Sequence, residues 1–297
     1  LDMAQAHGHN FMRLWSWDHP KFAPWTDDVV YFEPMPYLRT GPGLAQDGLP
    51  RFDLTQFNPV YFDRLRERVQ EAGQRGIYIA VMFFEGWCLK WSRPASDAWV
   101  SHPFHRANNI NGVDGDPNGD GKGDVYALAD PAVLEHQKAY LRKVIDTLNE
   151  FDHVLYEVIN EVENSERGFQ WQVHIAEYVR QYERGKAKQH PIGITAEGGG
   201  QYNPVLFASN ADWISPGNGP NRAYRYDPPA ADGSKVIVAD TDHLWGHGGN
   251  YRWAWKAFLR GLTLLFMDPW GPVRGRTRPD SAGAILNRRD YPTYEPL

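Results

Sequence analysis

Seven short and almost uninterrupted apolar runs recur along this chain, and amphipathic segments separate most of them. Continuous apolar runs are typical of strands in a parallel sheet whose two faces are covered, usually by helices. This pattern therefore predicts an α/β architecture. The predicted strands are residues 11–15, 77–84, 154–159, 192–196, 213–215, 236–239 and 262–267.

Helix signals fall between these runs. Asn58-Pro59 and Asp130-Pro131 each place a capping side chain before a proline, as at the start of a helix. Apolar residues then recur at three- and four-residue steps as far as Ala72 and Leu148. Repeated strand–helix units over this length predict either a doubly wound sheet or a (β/α)8 barrel.

The absence of a phosphate-binding fingerprint favours the barrel. The glycines at 198–200 follow a strand but lack the G-x-G-x-x-G spacing of a dinucleotide site. Because the chain starts within a helical pattern, we expect an eighth strand upstream of Leu1. The predicted fold is a (β/α)8 TIM barrel lacking its first strand. Residues 1–297 would form a single catalytic domain, with a long loop over residues 85–129.

Charge and composition exclude several functional classes. The formal net charge of −6 argues against nucleic acid or an anionic membrane as a partner. No apolar run approaches the roughly 20 residues of a transmembrane helix. Cys88 is the only cysteine, which rules out an intramolecular disulfide framework and any cysteine-based zinc site. Nothing in the sequence specifies an oligomeric state.

Carboxylates and tryptophans recur where the predicted strands end. In a TIM barrel these carboxyl ends form one rim, which carries the active site. Paired carboxylates are required for glycosidic bond cleavage, and indole faces would stack on sugar rings. The alternative for any single carboxylate is a helix cap or an ion pair with Arg13. The rim residues are Arg13, Trp15, Trp17, Asp18, His19, Glu85, Trp87, Asn160, Glu161, Glu197, Asp240, Asp242, His243 and Trp270.

Two segments carry a family resemblance. Residues 6–14, A-H-G-H-N-F-M-R-L, and residues 156–161, Y-E-V-I-N-E, resemble the second- and fourth-strand motifs of the retaining (β/α)8 glycoside hydrolases of clan GH-A. The likeness is to cellulase-like enzymes of glycoside hydrolase family 5. It implies that Glu161 is the acid/base and that Asn160 contacts the hydroxyl next to the reacting carbon.

The same resemblance implies that Arg13 stabilises the negative charge of the nucleophile. It also implies that Trp270 forms the floor of the sugar-binding subsite. Strand seven departs from the family, because K-V-I-V-A-D-T-D has no glutamate. Asp240 takes the expected position of the nucleophile. Asp242 is expected on the same face, since side chains alternate along a strand, and with His243 it would bind substrate. Reversed roles for the two aspartates stay open. So does inversion, because aspartate is one methylene shorter than glutamate.

A separate acidic loop resembles a calcium-binding turn. Hard oxygen ligands at this spacing suit Ca²⁺, although Ala127 stands where an EF-hand has glutamate. The alternative is a solvated acidic turn. A bound ion would stiffen the loop without joining the chemistry, for which no cofactor is required. The candidate ligands are Asp116, Asn118, Asp120, Lys122 and Asp124.

The sequence therefore predicts a glycoside hydrolase that acts on a poly- or oligosaccharide by retaining double displacement. One alternative is a carbohydrate-binding barrel without catalysis, and another is a metal-dependent hydrolase using the histidine-rich loops. Long loops and the calcium-like turn predict a secreted or periplasmic protein. Asn109 would bind sugar hydroxyls or build turns. Further predicted substrate-binding residues are Trp15, Trp17, Trp87, Asn109, Asn160, His243 and Trp245.

Overall fold

The computed structural model describes residues 1–6, 8–22, 30–90, 97–196, 199–245 and 251–265. The strands are β1 (Phe11–Trp15), β2 (Lys21–Phe22), β3 (Val30–Tyr31), β4 (Tyr37–Leu44), β5 (Pro50–Phe57), β6 (Tyr78–Glu85), β7 (Val154–Asn160), β8 (Ile192–Thr195), β9 (Trp213–Ser215), β10 (Val236–Asp240) and β11 (Thr263–Leu265). The helices are α1 (Asp2–Ala6), α2 (Pro59–Gln74), α3 (Trp87–Lys90), α4 (Ala98–Ser101), α5 (Pro131–Leu148), α6 (Glu166–Glu183), α7 (Asn203–Ala208), α8 (Asp242–Trp245) and α9 (Tyr251–Leu259), with a 3₁₀ segment at Pro220–Arg225.

Seven of these strands form one parallel sheet in the order β1-β6-β7-β8-β9-β10-β11. Each strand of this sheet is hydrogen-bonded to the strand that follows it in that order, and every pair is parallel. This is the strand arrangement of a (β/α)8 barrel, represented by seven strands within the described residues. The predicted fold class is confirmed. The register sets Glu85 beside Asn160, so the carboxyl ends of β6 and β7 lie at one level.

The long helices form where the capping signals predicted them. Asn58 accepts a hydrogen bond from the backbone N–H of Val60, and Asp130 accepts one from Ala132. Both side chains satisfy backbone donors that the first helical turn leaves unpaired. The apolar faces of α2, α5 and α6 are buried. Together with apolar side chains of the sheet they form the main hydrophobic core.

A second apolar cluster fills the interior of the barrel. Trp213 of β9 packs with Ala80 of β6 and Val238 of β10, and all three are almost fully buried. Gly193 on the neighbouring strand β8 makes room for the indole. A Cβ at that position would lie 2.0 Å from the Trp213 ring. One large side chain therefore fills space that its small neighbours leave open, as in other packed barrel interiors.

An antiparallel hairpin and the long loop form one structural unit above the barrel. Strands β4 and β5 form the hairpin, and the loop over 85–129 includes the short helices α3 and α4. The Phe52 N–H donates to the Asn108 carbonyl (2.8 Å), and the Ile110 N–H donates to the Phe52 carbonyl (2.9 Å). The loop is thus fastened to the hairpin by backbone hydrogen bonds. Within the described ranges, every helix is too short or too polar to cross a membrane.

We predict that Gly193→Ala destabilises the protein by about 1–3 kcal/mol, because the added methyl group overpacks the barrel interior against Trp213. Urea unfolding followed by tryptophan fluorescence measures the change. The matched control is Gly185→Ala, where the added methyl group would meet no atom within 4 Å. Equal stability of the two variants would contradict this packing.

Candidate active site

The guanidinium of Arg13 on β1 joins two carboxylates from distant strands. Its Nε donates to Oε2 of Glu157 on β7 (2.9 Å), and Nη2 donates to Oε1 of the same carboxylate. Its Nη1 donates to Oδ2 of Asp240 at the end of β10 (2.6 Å). The side chains of Arg13, Glu157 and Asp240 are 10%, 0% and 4% exposed. A buried cation therefore links the second, fourth and seventh strands of the barrel frame.

The charges of this cluster depend on one another. Burial alone would lower the pKa of Arg13, but Glu157 and Asp240 outweigh that effect and raise it. Burial raises the pKa of Glu157, and the adjacent Arg13 opposes that shift. A bidentate contact of this kind is among the strongest in proteins. Removing the cation would leave buried carboxylates with no compensating charge.

Asn160 connects this cluster to a second group of buried polar side chains. Its Oδ1 lies 3.0 Å from Arg13 Nη2, and its Nδ2 donates to Glu85 Oε1 (3.0 Å). Both ends of the amide are therefore held, which fixes its orientation. Glu85 also accepts the backbone N–H groups of Trp87 and Cys88. Burial raises the pKa of Glu85.

The second group continues into the segment that follows β1. His19 Nδ1 lies 3.1 Å from Asp18 Oδ1, and the Tyr126 hydroxyl donates to Asp18 Oδ2 (2.7 Å). Burial alone would raise the pKa of Asp18, yet the hydrogen bonds and charges of its neighbours, led by His19, lower it. Tyr126 belongs to the end of the long loop, so this contact ties the loop to the barrel rim.

Glu161 follows β7 directly and has a left-handed backbone. Its φ of 49° is uncommon outside glycine and costs of order 1–3 kcal/mol. Gly86 lies against this turn, since a Cβ there would be 2.9 Å from the Glu161 carbonyl oxygen. The Gly86 N–H also donates to the Asn160 carbonyl (2.8 Å). The ends of β6 and β7 are therefore in direct backbone contact at the predicted acid/base, where strain commonly accompanies function.

The strand-seven aspartates are arranged differently from the sequence expectation. Strand β10 ends at Asp240, and Asp242 begins helix α8, so strand alternation does not place the two on one face. Instead, the Asp242 N–H donates to Asp240 Oδ1 (2.9 Å). Asp242 still adds to the negative field at Arg13. His243 is buried, with Nδ1 3.2 Å from the Ser215 hydroxyl.

The predicted tryptophans lie to one side of this cluster. Trp15 and Trp17 are in contact, with ring centroids 5.3 Å apart, and Phe32 stacks on Trp17 at 3.8 Å. Together with Tyr31 they line a cavity of about 280 Å³. The walls of this cavity include neither Arg13 nor any residue of β7 or β10. Trp87 begins α3. Trp245 is the last residue of α8, and its side chain lies outside the described part of the structure, as do Glu197 and Trp270.

The side-chain amide of Asn109 makes its hydrogen bonds within its own loop. Its Nδ2 lies within 3.1 Å of the carbonyls of Pro103, His105 and Val113, and its Oδ1 accepts the Val113 N–H. This is the turn-building role that the sequence left open as the alternative to sugar binding.

The calcium-like loop has the internal hydrogen bonds of a tight Asx-rich turn. Asp116 accepts the N–H groups of Asp120 (3.1 Å) and Gly121 (2.9 Å), and Lys122 donates its N–H to Asp120 (2.9 Å). Arg167 of α6 pairs with Asp124 at 2.7 Å. An arginine therefore compensates part of the negative charge that the loop would offer a cation. In addition, Asn118 donates from Nδ2 to Asp124 Oδ2 (3.0 Å).

Sequence comparison assigns a family. A family model described as "Domain of unknown function (DUF6298)" matches residues 17–202, well over half of the chain. The chain belongs to this family. No curated protein matches it. The DUF6298 match spans β6, β7 and β8 with the long loop between them, and it covers Asn160 and Glu161, while Arg13 and Asp240 lie outside it.

Structure comparison places the DUF6298 chain among known barrels. It is similar to a glycoside hydrolase family 5 protein from Bacteroides vulgatus, with a TM-score of 0.54 and 10% identity over 96% of this chain and 59% of that one. It is also similar to the endo-β-1,4-mannanase from Thermotoga petrophila, with a TM-score of 0.53 and 14% identity over 99% and 67%. A further Bacteroides vulgatus structure has a TM-score of 0.54 and 13% identity over 91% and 48%. The chain thus spans about half of that structure. The resemblance to family 5 and clan GH-A is confirmed as a likeness of fold.

Sequence reasoning missed several residues of the buried network. Glu157 looks like one charge inside an apolar strand, and only the pairing with Arg13, 144 positions away, explains it. Glu85 and His19 were recognised as strand-end residues without a role. Tyr126 carried no signal, because its contact with Asp18 depends on the path of the loop.

We predict that Arg13→Met destabilises the DUF6298 chain by about 3–5 kcal/mol, since Glu157 and Asp240 would be buried without a cation. The unpaired Glu157 would have a more strongly raised pKa. The native state would therefore bind more protons than the unfolded state above the ordinary glutamate pKa of about 4.3. Relative to wild type, the stability of the variant should therefore fall as pH rises above that value. Urea unfolding across pH measures both effects.

The matched test is the double variant Arg13→Met/Glu157→Gln, which should recover part of the lost stability and flatten the pH dependence. If the double variant is less stable than Arg13→Met by the full cost of Glu157→Gln alone, the two side chains are not coupled.

Proposed function

We propose that this protein is a glycoside hydrolase that cleaves O-glycosidic bonds in a poly- or oligosaccharide. In the proposed mechanism Glu161 is the acid/base and Asp240 the nucleophile of a retaining double displacement. The observation that carries the proposal is the Arg13–Asp240 contact of 2.6 Å at the carboxyl ends of the barrel strands. Arg13 also contacts Asn160, which directly precedes Glu161 in the chain. This rim is the active-site face of TIM barrels.

The contacts of Asp240 suit a nucleophile. Its Oδ2 is paired with Arg13 and its Oδ1 accepts the Asp242 N–H, so the carboxylate is held in one orientation. Positioning of this kind reduces the entropy lost in reaching the transition state. Glu157 is fully buried. It therefore acts as a counter-ion to Arg13 and does not touch substrate.

The chemistry requires opposite protonation states at two carboxyl groups. Glu161 donates its proton to the leaving oxygen while Asp240 attacks the anomeric carbon and forms a glycosyl ester. Glu161 then takes a proton from water, which attacks that ester and releases the sugar. Retention requires the two carboxyl groups to lie about 5–5.5 Å apart during reaction. Asn160, with its amide fixed by Glu85 and Arg13, would contact the neighbouring sugar hydroxyl.

We expect Glu161→Gln and Asp240→Asn each to lower kcat/KM on a cleaved substrate by at least about 100-fold. A panel of aryl glycosides and of mannan-, cellulose- and xylan-type polysaccharides identifies that substrate by release of reducing sugar. Glu163→Gln, an exposed carboxylate two positions beyond the motif, is the matched control and should retain activity. Sugar binding without turnover across the panel would instead support a non-catalytic carbohydrate-binding barrel.

Stereochemistry and the identity of the nucleophile have a separate test. Proton NMR of the first product should show the anomeric configuration of the substrate. A 2-fluoro glycoside that reacts slowly should leave a covalent sugar on the peptide containing Asp240. Because residues 240 and 242 are two positions apart, fragment masses separate them. A label on Asp242 would reverse the two roles, and an inverted product would exclude the double displacement.

We also propose that the acidic loop binds Ca²⁺ through Asp116, Asn118, Asp120, Asp124 and the Lys122 carbonyl. The spacing of these oxygen donors and the tight turn around Asp116 support the proposal. Bound calcium would stiffen the long loop and leave the chemistry to the carboxylates.

Calcium at a hundredfold excess over its Kd should stabilise the protein by about 2.7 kcal/mol, seen as a rise in Tm relative to chelator. Asp116→Ala should abolish the rise, whereas Arg167→Gln should strengthen calcium binding by removing a competing cation. The exposed Asp152→Ala is the control. An equal Tm in calcium and chelator would identify the loop as a solvated turn.

A further inference from the structure

A compact set of nitrogen, oxygen and sulfur donors lies beneath the rim. His19, Glu85 and Cys88 each contribute one donor atom, and the three atoms lie within 4.8 Å of one another. The residues are 0%, 1% and 0% exposed. His19 lies between β1 and β2, whereas Glu85 ends β6 and Cys88 follows three residues later in helix α3. The calcium-like loop and the carboxylates proposed for catalysis do not contribute to this set.

The contacts of His19 leave one nitrogen in position to bind a metal. Nδ1 lies 3.1 Å from Asp18 Oδ1, and a carboxylate oxygen accepts the Nδ1 proton. In that tautomer Nε2 carries the lone pair that a metal ion would take. It is buried and has no hydrogen-bond partner in the described structure. A carboxylate that orients a histidine in this way is the usual outer partner of a metal-bound imidazole.

The lone pair of Nε2 faces another acceptor. Glu85 Oε2 lies 3.8 Å away, too far for a hydrogen bond. Ligand atoms about 2.0–2.3 Å from a tetrahedral zinc ion lie roughly 3.4–3.6 Å apart. The His19–Glu85 pair would therefore close by a few tenths of an ångström, and the Cys88 sulfur, within 4.8 Å of both atoms, would move in with them. The Cys88 thiol already hydrogen-bonds the same carboxylate. On coordination it would release its proton to solvent.

A second possible set, formed by Asp18, His19 and His102, fits less well. The Phe104 N–H donates to Nδ1 of His102 (3.0 Å), so the proton of that ring lies on Nε2. Coordination through Nε2 would then require an imidazolate. In the set with Cys88 no imidazolate is needed. Burial and the nearby Glu85 raise the pKa of the Cys88 thiol well above its usual value, so the metal itself would have to displace that proton.

We propose that His19, Glu85 and Cys88 form a binding site for a borderline-soft divalent cation, with Zn²⁺ as the best fit. Imidazole, carboxylate and thiolate are the ligands that zinc takes in proteins. From the sequence, the single cysteine rules out a cysteine-based zinc site. The proposal departs from that prediction, because the fold brings His19 and Glu85 to the same thiol. The ion would tie the segment after β1 to the junction of β6 and α3. Through Glu85, whose other oxygen accepts from Asn160, it would position the Asn160 amide.

The test uses metal binding and needs no substrate, so its failure is distinct from failure of the proposed glycosidase activity. The whole chain is stripped with chelator, given one equivalent of Zn²⁺ or Co²⁺, and desalted. Elemental analysis should find about one metal ion per chain. The Co²⁺ form should show a thiolate-to-cobalt charge-transfer band in the near ultraviolet. Because this band is read on the wild-type chain, the test does not depend on the folding of a variant. Retention of little metal, or bound Co²⁺ without the band, would overturn the proposal.

Variants then assign the ligands. Cys88→Ser should remove the charge-transfer band, and His19→Gln should weaken binding by at least about tenfold. His174→Gln, the same substitution on α6, is the matched control and should bind as wild type. Unchanged affinity in His19→Gln, measured on a variant whose circular dichroism matches wild type, would exclude this site.

Discussion

The ion pairs of Arg13 are the constraint on which the rest of the rim depends. One guanidinium on β1 contacts a carboxylate on β7 and another at the end of β10, so three strands must keep their register for the charges to remain paired. Burial makes any misplacement expensive, since an unpaired charge in the interior costs several kcal/mol. Apolar packing brings the strands together. The charge cluster then selects the alignment in which Asn160 and Asp240 meet at one side of the barrel.

The indole of Trp213 fills the barrel interior. The polar side chains beside Arg13 form a separate, connected network. Trp213 occupies the interior beside Ala80 and Val238. Arg13, Asn160 and Glu85 then form a connected series of contacts toward the rim. Each member uses its remaining donors or acceptors on the next, which is how buried polar groups avoid the cost of being unsatisfied.

The sequence predicted the barrel because its strands are apolar on both faces and its helices carry explicit caps. Asn58 and Asp130 needed only local hydrogen bonds, and local signals are what a sequence displays best. The hairpin β4–β5 escaped notice, since glycine and proline interrupt β4 and disguise a strand. At the candidate site, the strand ends pointed to Arg13, Asn160 and Asp240, which the structure brings into contact. They also pointed to Glu161, whose role stays a prediction. Glu157 and Tyr126 required contacts between positions more than a hundred residues apart.

The attachment of the long loop to the hairpin affects how such a rim could diversify. Phe52 of the hairpin exchanges backbone hydrogen bonds with residues 108 and 110, and the Asn111 side chain accepts from the Leu54 N–H. Neither segment can therefore be lengthened, shortened or exchanged alone without exposing the polar backbone of the other. During evolution, or in loop-grafting experiments, the hairpin and the loop would have to be exchanged together. Changes in length or sequence would be accepted more readily at the acidic turn around residues 116–124, whose hydrogen bonds are largely its own.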